Sequence, residues 1–395
     1  MLGVTSSVLL ASVLVWFNYS AVLPLIVEEW GLSGTRAGIV FAAFQAGYLV
    51  AILPAGLIAD RYSPRWALSA GAVGTGTASL AFGLVAAGFA SGTLLRFVSG
   101  IFMAGVYVPG MRFVSDWYPS AIRGRALGLY VGTFSVASGP SFLVSATVAA
   151  AVGWRSAIVV TSLGAIVIGP MAMVLTHDHP EAVRSRFHFD PTLLRDRDYL
   201  LAVGIYTGHN WELFGVRNWI QAFLVGVPAF AVTGSPALTG VVVGIMMALG
   251  GVGNVLGGWL SDRFGRLPTI GLMLGSSGLI TLTIGRLGWL PLPALVVLVF
   301  LYGIVITGDS APTSTTITEI VDDAQMGAAL SIQSLVGFTV TVISPVVFGI
   351  ALDRSGYALA FVTLVVGPLA ALAFVGLLHR RRSIREPDES DARPN

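Results

Sequence analysis

The stretch Gly56-Leu-Ile-Ala-Asp60-Arg61-Tyr-Ser-Pro-Arg65 ends one long apolar run of the sequence. A close copy, Gly258-Trp-Leu-Ser-Asp262-Arg263-Phe-Gly-Arg266, ends another apolar run 202 residues later. In each copy the Gly lies four residues before the Asp, so the two share one face of a helix, and the bare Gly backbone lets a second helix come close. The duplicated stretch therefore predicts two helix ends of the same kind, each with a close helix contact and a charged turn.

The composition places the chain in a lipid bilayer. Of its 395 residues, 55% are hydrophobic and only 11% are charged, whereas about a quarter of the residues of a soluble protein are charged. The apolar runs are about 20 residues long, which is the length of a helix that crosses ~30 Å of hydrocarbon and about twice the length of a strand in a membrane barrel. The sequence therefore predicts an all-α membrane protein.

Several kinds of chemistry are excluded by residues that the sequence lacks. It has no cysteine, so it can form neither a disulfide nor a thiolate metal site. All 22 basic residues are arginine, and without lysine there is no phosphate-binding loop for ATP. We therefore expect no cofactor and no metal, and a net charge of only +2 gives no reason to expect a nucleic-acid partner.

Polar and Gly/Pro breaks divide the chain into twelve apolar spans. Their predicted bounds are 6–27, 36–58, 67–89, 93–115, 124–150, 155–176, 199–225, 237–260, 268–287, 290–312, 326–351 and 357–379. The longest polar stretch separates span 6 from span 7. We therefore expect an N-terminal six-helix bundle at 1–176, a cytoplasmic linker at 177–198, a C-terminal six-helix bundle at 199–379 and a disordered cytoplasmic tail at 380–395.

The two sets of six spans repeat each other. Gly105 and Pro109 of span 4 correspond to Gly308 and Pro312 of span 10, at nearly the same offset as the two copies of the opening stretch. This pattern predicts one six-helix unit that is used twice in parallel.

The arginines predict the orientation of the chain. If the opening stretch is cytoplasmic, 15 of the arginines face the cytoplasm and 4 face the other side. By the positive-inside rule, both termini of this multi-pass protein are then cytoplasmic, and we expect it in the cell membrane.

Twelve spans in two sets of six, a cytoplasmic linker and the pattern G-x-x-x-D-R-x-x-x-R between spans 2 and 3 together resemble the major facilitator superfamily of secondary transporters. The copy between spans 8 and 9 adds to the resemblance, while the first copy has Ser63 and Pro64 where the family has Gly and Arg. The resemblance implies two six-helix bundles that rock around a central cavity lined by spans 1, 4, 7 and 10, in a protein that works as a monomer.

The repeated stretch also predicts a gate latch. In the state that is closed to the cytoplasm, we expect Asp60 to accept hydrogen bonds from the N-terminal amides of span 11, near residues 325–328. Asp262 is expected to do the same at the start of span 5, near residues 124–127. The alternative is that these charges only terminate helices and orient the chain. The predicted gating residues are Gly56, Asp60, Arg61, Arg65, Gly258, Asp262, Arg263, Arg266 and Arg125.

Span 7 carries ionisable residues deep in the predicted membrane. His209 falls near the midplane, and Glu212 lies one turn further on the same face. Ionisable residues are costly at that depth and mark functional sites by default, and a His with a carboxylate can take up and release a proton. We therefore expect proton or substrate work at these two residues, with Asp309 of span 10 as a further coupling residue. The alternative is a structural hydrogen-bonded pair.

Two arginines within predicted spans bear on the choice of substrate. Arg96 lies inside the outer end of span 4, where it could meet an anionic substrate or tie helices together. Arg217 lies near the outer end of span 7 beside Trp219, which predicts a side chain that reaches out to the membrane surface.

Polar residues at the depth of the expected cavity predict a lining of mixed polarity. They are Asn18, Tyr19, Gln45, Asn254 and Gln333. Each of them alone is more often a hydrogen bond between helices than a ligand contact.

These features predict a secondary active transporter that moves a small organic anion by proton-coupled alternating access. Its partners are the substrate, a coupling proton and the lipid bilayer. The alternative is proton-driven efflux of hydrophobic or cationic compounds, since Gly139-Pro140 is similar to the Gly-Pro kink of drug exporters in the family. A membrane enzyme or a non-transporting sensor is disfavoured, because the sequence has neither a catalytic constellation nor a soluble sensory domain.

Overall fold

The computed structural model describes residues 1–180, 191–233, 235–322 and 325–390, and most of them lie in α-helices. The predicted linker falls partly outside the described residues, at 181–190, and so does the end of the predicted tail, at 391–395. The helices follow the order of the twelve predicted spans, whose numbers we keep.

The first half of the chain forms six long helices, as the sequence predicted. Spans 1 to 6 are Leu2–Trp30, Gly34–Arg61, Pro64–Val85, Phe89–Trp117, Ser120–Val152 and Trp154–Ile168, and a short helix at Met171–Leu175 follows span 6. Each span begins one to four residues before its predicted bound, because the first turn of a helix tolerates polar residues and proline.

The second half has two irregularities. Spans 7, 8 and 9 are Arg197–Val225, Pro236–Phe264 and Arg266–Ile284. Span 10 is broken into Leu292–Val305 and Ser310–Ile320, where the sequence predicted one helix that ends at residue 312. Spans 11 and 12 lie within Met326–Ser390 and meet at Gly356, whose φ of 73° interrupts the helix. Residues 380–390 are helical, although the sequence predicted a disordered tail there.

Ten segments of the described chain are long and apolar enough to cross a membrane. Span 7, which carries His209, Glu212 and Arg217, falls outside this set, and spans 11 and 12 count in it as one segment. With these two adjustments the described chain has the twelve spans that the sequence predicted.

The two copies of the opening stretch turn the chain by different means. In the first copy the hydroxyl of Ser63 caps span 3, because it accepts a hydrogen bond of 3.2 Å from the backbone N–H of Trp66. In the second copy Gly265 has a φ of 92°, a conformation that is strained for any residue with a Cβ atom. The turn of the first copy is thus stabilised by the Ser63 cap, whereas the turn of the second copy depends on the positive φ of Gly265.

The two halves pack tightly at the end of the molecule opposite these turns, which we call the closed end. A Cβ atom at Gly38 of span 2 would overlap the carbonyl of Pro345 in span 11. A Cβ atom at Gly139 of span 5 would lie 2.7 Å from the carbonyl oxygen of Gly244 in span 8. The glycines therefore let helices of opposite halves touch backbone to backbone.

At the other end, which we call the motif end, the same helices lack such contacts with the opposite half at three glycines. Within the described parts of the chain, a Cβ atom at Gly56 of span 2, at Gly132 of span 5 or at Gly258 of span 8 would meet no neighbouring atom within 4 Å. The close helix contact that the sequence predicts at Gly56 and Gly258 is therefore not formed in this state. The gap between the halves opens at the motif end, which is one of the two states that alternating access requires.

Candidate functional site

A buried histidine–aspartate pair lies where span 10 is broken. His209 of span 7 places its Nδ1 atom 2.9 Å from Oδ1 of Asp309, without the angles of a hydrogen bond, and its Nε2 atom lies 3.0 Å from the hydroxyl oxygen of Ser310. Both ionisable side chains are buried. The second carboxylate oxygen of Asp309 has no hydrogen-bond partner among the described residues, so it can accept a proton or a further ligand. The structure thus joins two of the predicted coupling residues.

The break in span 10 is packed against span 8. A Cβ atom at Gly257 would overlap the carbonyl of Gly308, so the two helices touch through their backbones. The hydroxyl of Thr307 donates a hydrogen bond of 2.8 Å to the carbonyl of Gly250. A helix break at membrane depth is tolerated where protein or a water-filled cavity surrounds it. The surrounding contacts therefore hold Asp309 at the start of a helix piece in the protein interior.

Glu212 has different partners from those of His209. Its side chain is fully buried, and its carboxylate accepts hydrogen bonds from the hydroxyls of Ser277, at 2.9 Å, and Thr281, both in span 9. Thr281 also shares a hydrogen bond with the hydroxyl of Tyr302 in span 10. Glu212 follows His209 by three residues on span 7, which puts the two side chains on one face of the helix. The three ionisable groups therefore form one buried cluster within the second half.

Arg217 carries a buried charge and was not among the site residues predicted from the sequence. The prediction that its side chain reaches the membrane surface is wrong, since only 4% of the residue is exposed. Its guanidinium carbon lies 5.4 Å from the ring centre of Phe17, 5.6 Å from that of Phe214 and 6.0 Å from that of Phe134. In the described structure no hydrogen bond or ion pair holds the guanidinium. Arg217 therefore places an unpaired positive charge where spans 1, 5 and 7 meet.

Arg96 ties span 4 to span 1. Only 1% of the residue is exposed, and its guanidinium donates hydrogen bonds to the carbonyls of Val15, at 3.0 Å, and Trp16, at 3.1 Å. The ring of Phe44 lies 4.3 Å from the guanidinium carbon. The sequence left two roles open for Arg96, and these contacts support the one in which it ties two helices together. An anionic substrate would have to displace them.

Two of the predicted cavity residues are hydrogen-bonded inside the first half. Asn18 donates to the hydroxyl oxygens of Ser79, at 3.2 Å, and Thr161, at 3.0 Å. The hydroxyl of Tyr19 donates to the carbonyl of Ala37 at 3.0 Å. In this state both residues therefore join helices of one bundle and do not face the gap between the halves.

The other three predicted cavity residues lie in spans 2, 8 and 11. Gln45 donates a hydrogen bond of 3.1 Å to the hydroxyl of Thr341, across the closed end. Asn254 of span 8 is partly buried, and its side-chain oxygen has no hydrogen-bond partner among the described residues. Gln333 is buried in span 11. Gln45 thus joins the halves, whereas Asn254 keeps capacity for a ligand.

The second copy of the opening stretch makes no latch in this state. The side chain of Asp262 is 72% exposed and pairs with Arg266 of its own stretch, which also lies 3.1 Å from the carboxylate of Glu319. At the start of span 5, Arg125 is exposed, and within the described chain a Cβ atom at Gly124 would have open space around it. An unformed latch agrees with halves that are apart at the motif end.

The first copy makes its contacts within its own half. Arg65 donates a hydrogen bond of 2.7 Å to the carbonyl of Thr176, in the segment after span 6. Arg61 and Arg263, one from each copy, are exposed beside aromatic rings of their own helix ends. The side chain of Asp60 lies outside the described part of the structure, so its latch with span 11 stays a prediction.

A family model of the Major Facilitator Superfamily matches residues 5–233 and 213–394. The chain belongs to the major facilitator superfamily. One relative is the "Probable sulfoacetate transporter SauU" of Cupriavidus necator, which is 27% identical over 94% of this chain and 91% of its own length. Another is the hexuronate transporter of Bacillus subtilis, which is 24% identical over 95% of this chain and 93% of its own length.

Solved structures with the same fold are also similar to this chain. The inward-facing, occupied structure of a bacterial homologue of the human lysosomal transporter Spinster has a TM-score of 0.82 with this chain at 18% identity, over 96% of both chains. The family match and the relatives make this chain a multi-pass membrane transporter and not an enzyme. The described residues contain no group of three or more His, Asp or Glu side chains that could hold a metal ion.

Proposed function

We propose that this member of the superfamily is a proton-coupled transporter of a small organic acid. The buried pair of His209 and Asp309, at the break in span 10, carries the proposal. A His in contact with a carboxylate can take up and release a proton when its surroundings change, and ionisable groups at membrane depth are retained where they have such work to do. We further propose that the protein works as a monomer, with the motif end and both termini in the cytoplasm of the cell that carries it.

In this proposal the pair exchanges a proton with the gap between the halves. The free carboxylate oxygen of Asp309 gives a proton an acceptor that no other described group occupies. With the motif end open, the proton leaves to the cytoplasm. After the halves rock, the same pair receives a proton from the other side, and transport is coupled when the proton and the substrate favour the same state.

The substrate class comes from the relatives. Two relatives that match over more than nine-tenths of this chain are named as a probable sulfoacetate transporter and a hexuronate transporter, and both named substrates are organic acids. The alternative of efflux of cationic compounds is disfavoured by the unpaired charge of Arg217, which repels a cation. Gly139, which motivated that alternative, has a packing role against Gly244 at the closed end.

The experiment is transport into proteoliposomes that contain the purified full-length chain. Labelled sulfoacetate and D-glucuronate are offered in the presence and absence of an imposed pH gradient, and D-glucose, which is neutral, is the control. We expect at least one acid to accumulate above its external concentration, only with the gradient, and a protonophore to abolish the effect. If both acids merely equilibrate or do not enter, the proposal of a proton-coupled organic-acid transporter is wrong.

A further inference from the structure

Arg217 is the described arginine whose burial is hardest to explain by structure alone. Arg96 is equally buried, but two backbone carbonyls compensate its charge. Among the described residues Arg217 has no such partner, and its Nε group is buried without a hydrogen bond. A buried charge without a partner destabilises a protein strongly, and an anionic ligand is the simplest group that compensates it.

The surroundings of Arg217 keep the guanidinium in place without neutralising it. The rings of Phe17, Phe134 and Phe214 lie within cation–π distance. A small cavity beside Arg217 is lined on the other side by Met246, Met247, Gly250 and Ile306, among others. Among the described residues of this lining, the guanidinium is the one charged group, with five N–H groups arranged as a planar fork.

We propose that Arg217 binds the acid group of the transported substrate, which is one carboxylate or sulfonate of a small organic anion, at the meeting point of the two halves. This proposal rests on the proposed function and names the substrate contact within it. The planar fork of an arginine matches the paired oxygens of either acid group.

The position of Arg217 also links binding to the movement of the halves. Its own helix belongs to the second half, whereas Phe17 and Phe134 belong to the first. An anion seated on the guanidinium therefore contacts both bundles, so its affinity differs between states in which the bundles are arranged differently. A ligand shifts a conformational equilibrium only through such a difference in affinity.

The proposal is tested by binding to the purified full-length protein in detergent. Sulfoacetate, D-glucuronate and inorganic sulfate are titrated against the wild type, Arg217→Met and Arg217→Gln, with affinities from calorimetry and unfolding temperatures without ligand. The control is Arg286→Met, which removes an exposed arginine that bonds only to a carbonyl of its own helix among the described residues. We expect both Arg217 variants to bind the acids on the order of 100-fold more weakly than the wild type, and the control to bind normally.

A second readout separates a binding role from a structural one. Because methionine is apolar and similar in length, we expect Arg217→Met without ligand to unfold at the same temperature as the wild type or at a higher one. The proposal is overturned if either Arg217 variant binds an acid as tightly as the wild type, or if Arg217→Met is markedly destabilised or does not fold.

The same titration separates this proposal from the proposed function. If the wild type binds an acid and Arg217→Met binds it equally well, the Arg217 site is wrong while organic-acid transport stands. If the wild type binds neither organic acid, the proposed function is wrong. In that case sulfate that stabilises the wild type but not Arg217→Met keeps Arg217 as an anion site, and sulfate without effect overturns this site as well.

Discussion

The carboxylate of Asp353 accepts a hydrogen bond of 2.6 Å from the backbone N–H of Gly34, across the closed end of the molecule. The same carboxylate accepts from the backbone N–H of Thr35, at 2.9 Å, and from its hydroxyl. Gly34 and Thr35 begin span 2, where the backbone N–H groups of a helix lack partners and a negative charge is favoured. The closed end is thus latched by an acidic residue of one half on a helix start of the other half.

We expect Asp353→Asn to weaken the closed end and shift the protein toward the state that is closed at the motif end. Loss of charge-assisted hydrogen bonds of this kind costs about 1–2 kcal/mol, or about a 5- to 30-fold change in the ratio of the two states. Because the chain lacks cysteine, spin labels at Ile122→Cys and Trp259→Cys report the distance between the halves at the motif end.

The matched control for Asp353→Asn is Glu29→Gln. Glu29 pairs with Arg155 at 2.8 Å, but both residues belong to the first half, so its loss should leave the distance distribution between the labels unchanged. An unchanged distribution in Asp353→Asn would show that this carboxylate is not a latch.

The predicted latch at the motif end acts in the opposite direction. We expect Asp60→Asn to lower the rate of substrate turnover, because the state that is closed at the motif end loses a contact, while substrate affinity in the open state changes little. Initial transport rates and equilibrium binding, measured on the same preparation, check this prediction. If Asp60→Asn turns over at the wild-type rate, Asp60 is not part of a latch, and its charge serves only to end the helix.

The fold could be predicted from the sequence because each span has to be long and apolar to cross the membrane. The twelve spans, the repeat and the turns after Gly56 and Gly258 all follow from this requirement. The break in span 10 was not predicted, because the sequence around Thr307 and Gly308 is typical of an ordinary apolar helix. The contacts that accompany the break are made with span 8. Local pattern carries no information about such a contact.

The candidate site was only partly accessible from the sequence. The depth of His209 and Asp309 in their spans was visible, and the structure joins them. The burial of Arg217 was not predicted, because its aromatic neighbours Phe17 and Phe134 come from distant parts of the chain. The depth of Arg217 in span 7 did not distinguish burial among aromatic rings from a position at the membrane surface. A useful signal would have been the lack of any acidic residue within one turn of Arg217 on the same helix face.

Arg96 gives a prediction about stability. We expect Arg96→Met to lower the free energy of unfolding by about 2–4 kcal/mol, because it removes charged hydrogen bonds to two carbonyls together with the packing on Phe44. Thermal unfolding in detergent measures the loss, and the affinity of the remaining folded protein for an organic acid should stay within a few-fold of the wild-type value. Wild-type stability with lost binding would instead assign Arg96 to the substrate.

Glu212 gives a prediction about coupling. We expect Glu212→Gln to lower accumulation driven by a pH gradient by about tenfold, because the buried cluster loses one ionisable group. The control is Ser277→Ala, which removes one hydrogen-bond donor and keeps the carboxylate, and we expect it to have a much smaller effect. Initial rates at several gradients provide the comparison. Wild-type accumulation in Glu212→Gln would confine coupling to His209 and Asp309.

The central claim is that the pair of His209 and Asp309 couples protons to the transport of an organic acid. It is tested most directly in proteoliposomes that contain Asp309→Asn, by comparing exchange of labelled acid across the membrane without a gradient with accumulation driven by a pH gradient. The account predicts that the variant still exchanges the acid at a rate near that of the wild type but does not concentrate it. Accumulation at the wild-type level, under the same gradient and with the same protonophore sensitivity, would contradict the account.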